Sequence, residues 1–250
     1  MPAEPRPYPR VLAVVPAFNE QESVGSTIEE LTSVNPGIDV LVVDDGSGDH
    51  TARVARRAGA IVCQLPYNLG VGGAMRAGYR YALRHDYDVA VQVDADGQHD
   101  PTYLKALVDE LDTADIVVGA RFAGEGEYHA RGPRRWAMRL LAVTLTRLAH
   151  HKLTDVTSGF RAVNRRGIRL FADHYPAEYL GDTVESLVIA VRSGCSVRQI
   201  PVSMRIRSGG QASQSTLKAS LYLVRAVVAL ALALVRKWPS TLENLGEEDV

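Results

Sequence analysis

Two aspartates one residue apart end the apolar run VAVQVDADGQH at 89–99, and this spacing suits cation binding. The carboxylates of Asp94 and Asp96, with the amide oxygen of Gln98, are hard oxygen ligands of the kind that Mg²⁺ or Mn²⁺ prefers. A cation held there would bridge phosphate oxygens and stabilise a departing diphosphate. A strand followed by a polar Asp-Gly turn explains the same residues. These eleven residues alone leave both interpretations open.

Short runs rich in Val, Ile and Leu alternate with amphipathic helical patterns through the first half of the chain. Strands are predicted at 11–15, 39–43, 60–65, 89–93 and 115–118, and helices at about 20–34, 49–58, 71–84 and 100–112. This alternation predicts an α/β fold with a mostly parallel central sheet and helices on both faces. Ligands bind such sheets at the carboxyl ends of the strands. The polar segments PAFNE, DDGSGD and DADGQH all follow strands, so we expect them to meet at one edge.

The second half is less regular. A helix is predicted from about 135 to 150, a strand-like segment at TSGFRAVNR, a helix near 181–192 and a strand at 197–202. Glycine-rich loops are expected at 124–135 and 205–215. We therefore divide the chain into a flexible N-terminus at 1–9, a catalytic domain at 10–216, a hydrophobic helix at 217–238 and an acidic tail at 239–250.

Bulk properties exclude several classes of protein. The 250 residues suffice for one large domain, and a formal net charge of −1 gives no sign of a nucleic-acid partner. Cys63 and Cys195 are far apart and outside any paired spacing, so buried thiols are expected and a zinc or disulfide framework is not. The proline-rich N-terminus has no apolar stretch of the kind found in a signal peptide.

The ordered motifs resemble the family 2 glycosyltransferases, which have the GT-A fold. Within that family the chain is most similar to the dolichyl-phosphate mannose synthases and polyprenyl-phosphate glycosyltransferases. The segments that carry the resemblance are VVPAFNE at 14–20, VVDDGSGDHT at 42–51, NLGVGGAMRAGY at 68–79, VDADGQHDP at 93–101, VGARF at 118–122, DVTSGFRA at 155–162 and IPVSMRIRSGGQAS at 200–213. They span about residues 10 to 215 in the expected order.

The resemblance implies a nucleotide-sugar donor site. Its members would be Pro16, Ala17, Asn19, Glu20, Asp44, Asp45, Gly72 and Asp94, with the metal on Asp94, Asp96 and Gln98. For Asp45, a turn that caps the helix at 49–58 is the alternative. For the glycines near Gly72, tight helix–strand packing is the alternative to close approach of a donor. Arg76 would either neutralise a donor phosphate or lie on a solvated helix face.

The resemblance also implies catalytic roles for Asp96, Asp182 and Arg205, and a site for an acceptor phosphate. Asp182 would supply a carboxylate near the acceptor, and helix N-capping is the alternative. Arginine forks suit phosphate oxygens. The expected acceptor-phosphate residues are Arg121, Arg131, Arg205 and Ser213.

The helix at 217–238 is expected to lie against a membrane surface. Its apolar stretch of 17 residues, Ala219 to Val235, would be about 25 Å long, short of a hydrocarbon core of about 30 Å, and Arg225 interrupts it. An interfacial helix fits this pattern, as do a helix docked on a membrane-protein partner, one across a homodimer interface and one buried in the protein's own core. We expect a peripheral protein on the cytoplasmic, inner face of the membrane.

The resulting hypothesis is a metal-dependent, inverting glycosyltransferase that moves a hexose from a nucleotide sugar, of the GDP-mannose or UDP-glucose type, to a polyprenyl phosphate. A phosphate acceptor is already anionic near neutral pH and needs no dedicated base. The alternatives are a GT-A enzyme with a soluble or protein acceptor and a non-catalytic nucleotide-sugar-binding protein.

Overall fold

The computed structural model describes residues 9–121, 133–149, 151–176 and 182–205, without the side chains of 133–140. These residues form a seven-stranded sheet covered by helices. The strands are β1 (Val11–Ala17), β2 (Asp39–Asp44), β3 (Ile61–Gln64), β4 (Val89–Gln92), β5 (Ile116–Ala120), β6 (Arg161–Asn164) and β7 (Val197–Pro201). The α-helices are α1 (Val24–Val34), α2 (Thr51–Arg57), α3 (Gly70–Arg84), α4 (Leu104–Asp109), α5 (Pro133–Ala149), α6 (Arg165–His174) and α7 (Asp182–Arg192).

The sheet is mostly parallel, as the alternation of strands and helices predicted. Its strand order is β3-β2-β1-β4-β6-β5-β7. Strand β6 alone runs antiparallel to its neighbours β4 and β5, while β1 pairs in parallel with both β2 and β4. The chain reverses its direction of travel across the sheet between β1 and β4. Such a switch point opens a crevice at the carboxyl ends of the two strands, which places the PAFNE and DADGQH segments side by side.

Two hydrophobic cores lie on opposite faces of the sheet. Alternate side chains of β1 point to opposite faces, so Leu12 and Val14 join the core that also contains residues of α3, α5, α6 and α7. Ala13 and Val15 join the core that contains residues of α1 and α4. Because both faces are covered, the central strands are almost continuously apolar, which is the pattern that identified them in the sequence.

The predicted helices and strands that lie in the described residues are confirmed, with small changes at their ends. The helix expected at 100–112 consists of α4 flanked by two short 3-10 turns, Pro101–Tyr103 and Glu110–Asp112. Strand β6 covers only four residues of the strand-like TSGFRAVNR segment. Cys195 is buried as expected, whereas Cys63 is only partly buried. The predicted N-terminal segment up to residue 8, the helix at 217–238 and the acidic tail lie outside the described residues.

Candidate active site

The carboxyl ends of β1, β2 and β4 border an open cleft of about 260 Å³. It is lined by Pro16, Ala17, Phe18, Glu20, Asp45, Val71, Ala74, Asp94, Ala95 and Asp96. Six of the predicted site residues therefore converge in one place, although up to 80 positions separate them in the sequence. Asn19, Asp44 and Gly72 lie next to lining residues along the chain and are absent from the lining.

The segment after β1 is hydrogen-bonded to the segment after β2. Asn19 has a left-handed backbone conformation, with φ of 56°, which asparagine tolerates better than most residues. Its side-chain oxygen accepts from the Gly48 N–H at 2.9 Å, and its own N–H donates to the Ser47 hydroxyl at 2.9 Å. Asn19 thus connects the two segments, and this contact presents Phe18 and Glu20 to the cleft.

The two aspartates at the end of β2 have different partners. Asp44 accepts from the Ser47 N–H at 3.1 Å and from the Gln64 side chain at 3.3 Å. Both oxygens of Asp45 accept backbone N–H groups at the start of α3, those of Leu69 at 2.7 Å and Gly70 at 2.8 Å. Burial raises the pKa of Asp45, and these two hydrogen bonds oppose the rise.

The alternative prediction, in which Asp45 caps the helix at 49–58, is therefore wrong. Asp45 caps α3, while the N–H of Thr51 at the start of α2 donates to Asp49 at 2.9 Å. The partners of Asp45 lie 24 and 25 residues away in sequence, so no local pattern could show them. Since Asp45 also lines the cleft, the cap and a nucleotide-binding role are compatible.

The glycine-rich bend forms the first turn of α3 at the edge of the cleft. Gly70 has a φ of 82°, a conformation that favours glycine, and Gly72 and Gly73 are buried. Val71 and Ala74, from the same turn, line the cleft. The start of α3 therefore borders the expected donor site, and close approach of a donor to Gly72 stays a prediction.

The side chain of Arg76 is partly exposed and contacts a neighbouring helix, and a role at a donor phosphate stays a prediction. Its guanidinium donates to the backbone carbonyl of Asp173 in α6, across 97 residues of sequence. Arg80, one turn later, donates to the Ala172 carbonyl at 2.9 Å. Both arginines join α3 to α6 on the face of the sheet away from α1.

Asp94 and Asp96 follow β4 and line the same cleft. The side chain of Asp94 is 39% exposed, and Asp96 is buried with one oxygen accepting the Gln98 N–H at 3.0 Å. Within the described ranges, no three His, Cys, Asp or Glu side chains converge to hold a cation by themselves. Magnesium on nucleotide substrates is often held by one or two carboxylates plus phosphate oxygens. Two carboxylates in an open cleft fit that donor set, and Gln98 remains a predicted third ligand.

Three residues around Asp94 lie outside the predicted donor and metal sets. His99 is buried, accepts the Asp94 N–H on Nδ1 at 3.0 Å and stacks on Phe160. A Cβ placed on Gly159 would lie 3.3 Å from one oxygen of Asp94 and 3.5 Å from the other. The segments DADGQH and TSGF stand out in the sequence, but nothing local shows that these two segments meet.

Asp182 begins α7 and is almost completely buried. Burial raises its pKa, the charge of Arg161 and a hydrogen bond from the Thr183 N–H lower it, and the charge of Asp94 raises it. Its Oδ2 atom has no hydrogen-bond partner among the described residues. Asp182 is thus the first residue of α7, and it lies close enough to Asp94 for that charge to raise its pKa. Its catalytic role stays a prediction.

Arg161 supplies a fully buried positive charge beneath the cleft. Its guanidinium donates to the Ser186 hydroxyl at 2.8 Å and to the Ser158 carbonyl at 2.7 Å. The hydroxyls of Tyr79 and Tyr175 are buried nearby. Burial raises the pKa of both hydroxyls, and the charge of Arg161 opposes this rise. Buried charge usually requires a compensating partner, and the charge of Arg161 opposes the rise in the pKa of the buried Asp182.

The predicted acceptor-phosphate arginines already contact carboxylates. Arg121 binds Asp155 through Nε–Oδ2 at 2.6 Å and Nη2–Oδ1 at 3.0 Å. Arg205 forms ion pairs with Glu30 and, at 2.9 Å, with Asp100. To bind a phosphate, the guanidinium of either arginine would have to contact it in addition to these carboxylates. The acceptor role therefore stays a prediction for both. The other two predicted acceptor residues, Arg131 and Ser213, lie outside the described residues.

Comparisons with known proteins show the family of this chain. The model of the family described as Glycosyl transferase family 2 matches residues 12–171. An undecaprenyl-phosphate mannosyltransferase of Micrococcus luteus is 34% identical over 216 residues, covering 82% of this chain and 88% of that protein. The chain belongs to glycosyl transferase family 2. Another relative of this glycosyltransferase, a polyprenol monophosphomannose synthase of Mycolicibacterium smegmatis, is 29% identical, covering 86% of this chain and 84% of its own.

Solved structures confirm the GT-A fold of this family 2 member. A glucosyl-3-phosphoglycerate synthase from Mycobacterium tuberculosis, crystallised with Mn²⁺, UDP and phosphoglyceric acid, superposes with a TM-score of 0.69. The match covers 92% of this chain and 80% of that chain at 19% identity, so it bears on the fold alone. The same synthase has also been crystallised with Mg²⁺ and UDP. In the part of the chain that the structure describes, no helix is long and apolar enough to cross a membrane.

Proposed function

We propose that this glycosyltransferase transfers a hexose from a nucleoside diphosphate sugar to a polyprenyl phosphate, with inversion at the anomeric carbon. The observation that carries the proposal is the convergence of the β1 segment, Asp45 and the Asp94–Asp96 pair in one open cleft. The similarity to an undecaprenyl-phosphate mannosyltransferase over most of both chains supports the acceptor class.

The residues of the cleft have distinct roles in this proposal. The segment from Pro16 to Glu20 would contact the base and ribose of the donor, together with Asp44 and Asp45. Asp94 and Asp96, with Gln98, would hold Mg²⁺ or Mn²⁺ against the diphosphate. The cation, when bound, offsets the negative charge that develops on the departing diphosphate. The Mn²⁺, Mg²⁺ and UDP bound to the structural neighbours are consistent with this assignment.

The acceptor supplies its own nucleophile. A phosphate oxygen of the lipid attacks the anomeric carbon as the bond between that carbon and the diphosphate oxygen breaks, and the nucleoside diphosphate leaves with the electron pair. A phosphate monoester is ionised near neutral pH, so this step requires no proton removal. Arg121, Arg131, Arg205 and Ser213 remain our candidates for the acceptor phosphate, and Asp182 for a carboxylate on the acceptor side.

The membrane association follows from the acceptor, because a polyprenyl tail stays in lipid. We propose that the protein works at the cytoplasmic surface of the membrane, with residues 217–238 as the contact with lipid, with a membrane-protein partner or with a second copy. A soluble phosphorylated acceptor is the second candidate. It is favoured by the fold neighbour crystallised with phosphoglyceric acid.

The decisive experiment pairs donors with acceptors. The full-length protein is incubated with Mn²⁺ and either GDP-mannose or UDP-glucose, with vesicles containing undecaprenyl phosphate or with soluble phosphorylated acceptors. We expect a glycolipid and released nucleoside diphosphate only with the vesicles. The Asp96→Ala variant should keep its circular dichroism spectrum and lose metal-dependent donor binding. Unchanged turnover of Asp96→Ala would refute the metal assignment, and transfer only to soluble acceptors would refute the lipid acceptor.

A further inference from the structure

His99 is buried directly beside Asp94 and uses both ring nitrogens toward it. Its Nδ1 accepts the backbone N–H of Asp94 at 3.0 Å, and its Nε2 lies 3.5 Å from Asp94 Oδ2. An Nδ1 that accepts a hydrogen bond carries no proton, so the ring proton of the neutral imidazole is on Nε2. The 3.5 Å between Nε2 and Oδ2 is an electrostatic contact, longer than a normal hydrogen bond. One side chain therefore contacts both the backbone and the carboxylate of the same aspartate.

The imidazole is itself held in a fixed orientation. It stacks on the fully buried ring of Phe160, with ring centroids 4.8 Å apart and an interplanar angle of 14°. The backbone of His99 forms a bridge with Met204, and the Arg205 N–H donates to the Gln98 carbonyl at 2.9 Å. Residues 98 and 99 are thus bound to the segment after β7, and the ring is buried and stacked beside Asp94.

Gly159 also lies close to the Asp94 carboxylate. A Cβ on that residue would lie 3.3 Å from Oδ1 of Asp94 and 2.9 Å from the Gln92 amide nitrogen. A side chain at position 159 would therefore require the Gln92 amide to move and the Asp94 carboxylate to shift slightly. Asp94 therefore has the His99 imidazole and the Gly159 backbone as close neighbours, while its side chain remains 39% exposed.

We propose that His99 is a positioning residue that fixes the carboxylate of Asp94 for the cation and the donor diphosphate. The role of Asp94 rests on the proposed function, whereas the contact between His99 and Asp94 does not. His99 does not contact substrate, because its side chain is only 1% exposed. The arrangement resembles that of metal sites in which an outer residue orients a ligand through a hydrogen bond.

Three substitutions separate positioning from packing. His99→Phe preserves the stacked ring and removes both nitrogens. His99→Asn retains an oxygen in place of Nδ1 and lacks the group that faces the carboxylate. The matched control is His85→Phe, because His85 also stacks on an aromatic ring, that of Tyr81 with centroids 4.1 Å apart, at the other end of α3.

The first readout is the affinity for Mn²⁺ in the presence of GDP or UDP, measured by calorimetry on the full-length protein alongside thermal unfolding. Loss of a residue that orients a metal ligand typically weakens metal binding by about 10–100-fold. We expect a weakening in that range for His99→Phe, a smaller one for His99→Asn and none for His85→Phe. If His99→Phe binds Mn²⁺ as tightly as the wild type and differs from it only in thermal stability, His99 is a packing residue and the proposal is wrong.

The second readout does not depend on metal. In protein with ¹⁵N-labelled histidine, the His99 signal is identified by its loss in His99→Phe. We expect Nδ1 to be unprotonated and Nε2 to carry the proton. A proton on Nδ1 would overturn the inference. If wild-type protein bound no Mn²⁺ with any nucleotide, the metal part of the proposed function would fail, and the ¹⁵N spectrum would still decide whether His99 holds Asp94 as described.

Discussion

Replacing Arg121 with methionine is expected to lower the free energy of unfolding by about 3 kcal/mol at neutral pH. The partner of Arg121 is Asp155, whose side chain is completely inaccessible to solvent. Methionine fills a similar volume but leaves this carboxylate buried without its counter-charge. Breaking a buried ion pair in this way costs about 3–5 kcal/mol.

The contacts of Asp155 place the expected loss at the lower end of that range. The substitution removes the two hydrogen bonds from the guanidinium, of 2.6 and 3.0 Å. Three other donors stay, namely the backbone N–H of residue 121 at 3.2 Å and the N–H and hydroxyl of Thr157 at 3.2 and 3.1 Å. A carboxylate that retains these donors is only partly uncompensated, so we expect about 3 kcal/mol instead of 5.

The loss should depend on pH in a defined direction. Burial by itself would raise the pKa of Asp155, but the hydrogen bonds and charge of Arg121 outweigh it and hold the pKa below its ordinary value. Such a group contributes stability above its unfolded-state pKa of about 3.9, and this contribution disappears as the pH falls through the folded-state pKa. In the methionine variant the pKa rises, so the difference in unfolding free energy between the two proteins should shrink from about pH 7 toward about pH 4.

The assay is urea unfolding followed by circular dichroism, with two companion variants. Arg121→Met combined with Asp155→Asn should recover most of the loss, because no charge is then left buried. Lys105→Met is the exposed control: its ion pair with Asp109 involves side chains that are 78% and 60% exposed and should contribute only about 0.3–0.5 kcal/mol. A loss below about 1 kcal/mol for Arg121→Met, or one that Asp155→Asn does not relieve, would refute the reasoning. If the double variant regains stability but keeps a raised KM for the lipid phosphate, Arg121 also binds the acceptor.

Three further substitutions test contacts around the cleft and the packing of α3 against β1. Gly159→Ala places a Cβ 3.3 Å from Oδ1 of Asp94 and should weaken Mn²⁺–nucleotide binding in calorimetry; unchanged affinity would mean that Asp94 tolerates displacement. Asp45→Ala removes both hydrogen bonds that cap the start of α3 and should lower the free energy of unfolding in urea by about 1–2 kcal/mol. A loss near zero would contradict the cap. Gly78→Ala sets a Cβ 2.3 Å from the Val14 side chain and should cost about 1–3 kcal/mol; Val14→Ala in the same protein should relieve part of it, and no relief would exclude that clash as the cause.

The first half of the fold could be predicted from the sequence because its signals are local. Continuous apolar strands such as β1 and β4 report burial on both faces, and the amphipathic pattern of α3 reports one buried face. The order of strands and helices then fixes a parallel sheet and the edge at which its ligands bind. The antiparallel direction of β6 was not visible in the sequence, because strand direction depends on how the chain returns to the sheet.

The sequence by itself determined the α/β class, the family motifs and most of the carboxylates in the cleft. Tertiary structure alone decided the partners of long or buried side chains. Asp45 caps α3 and not α2, Arg76 binds α6, and Arg205 pairs with Glu30 across 175 residues. His99 and Gly159 enclose Asp94 from two different segments. The physical reason is that periodicity and turn preferences act over about four residues, whereas hydrogen bonds and ion pairs are chosen by proximity in the folded chain.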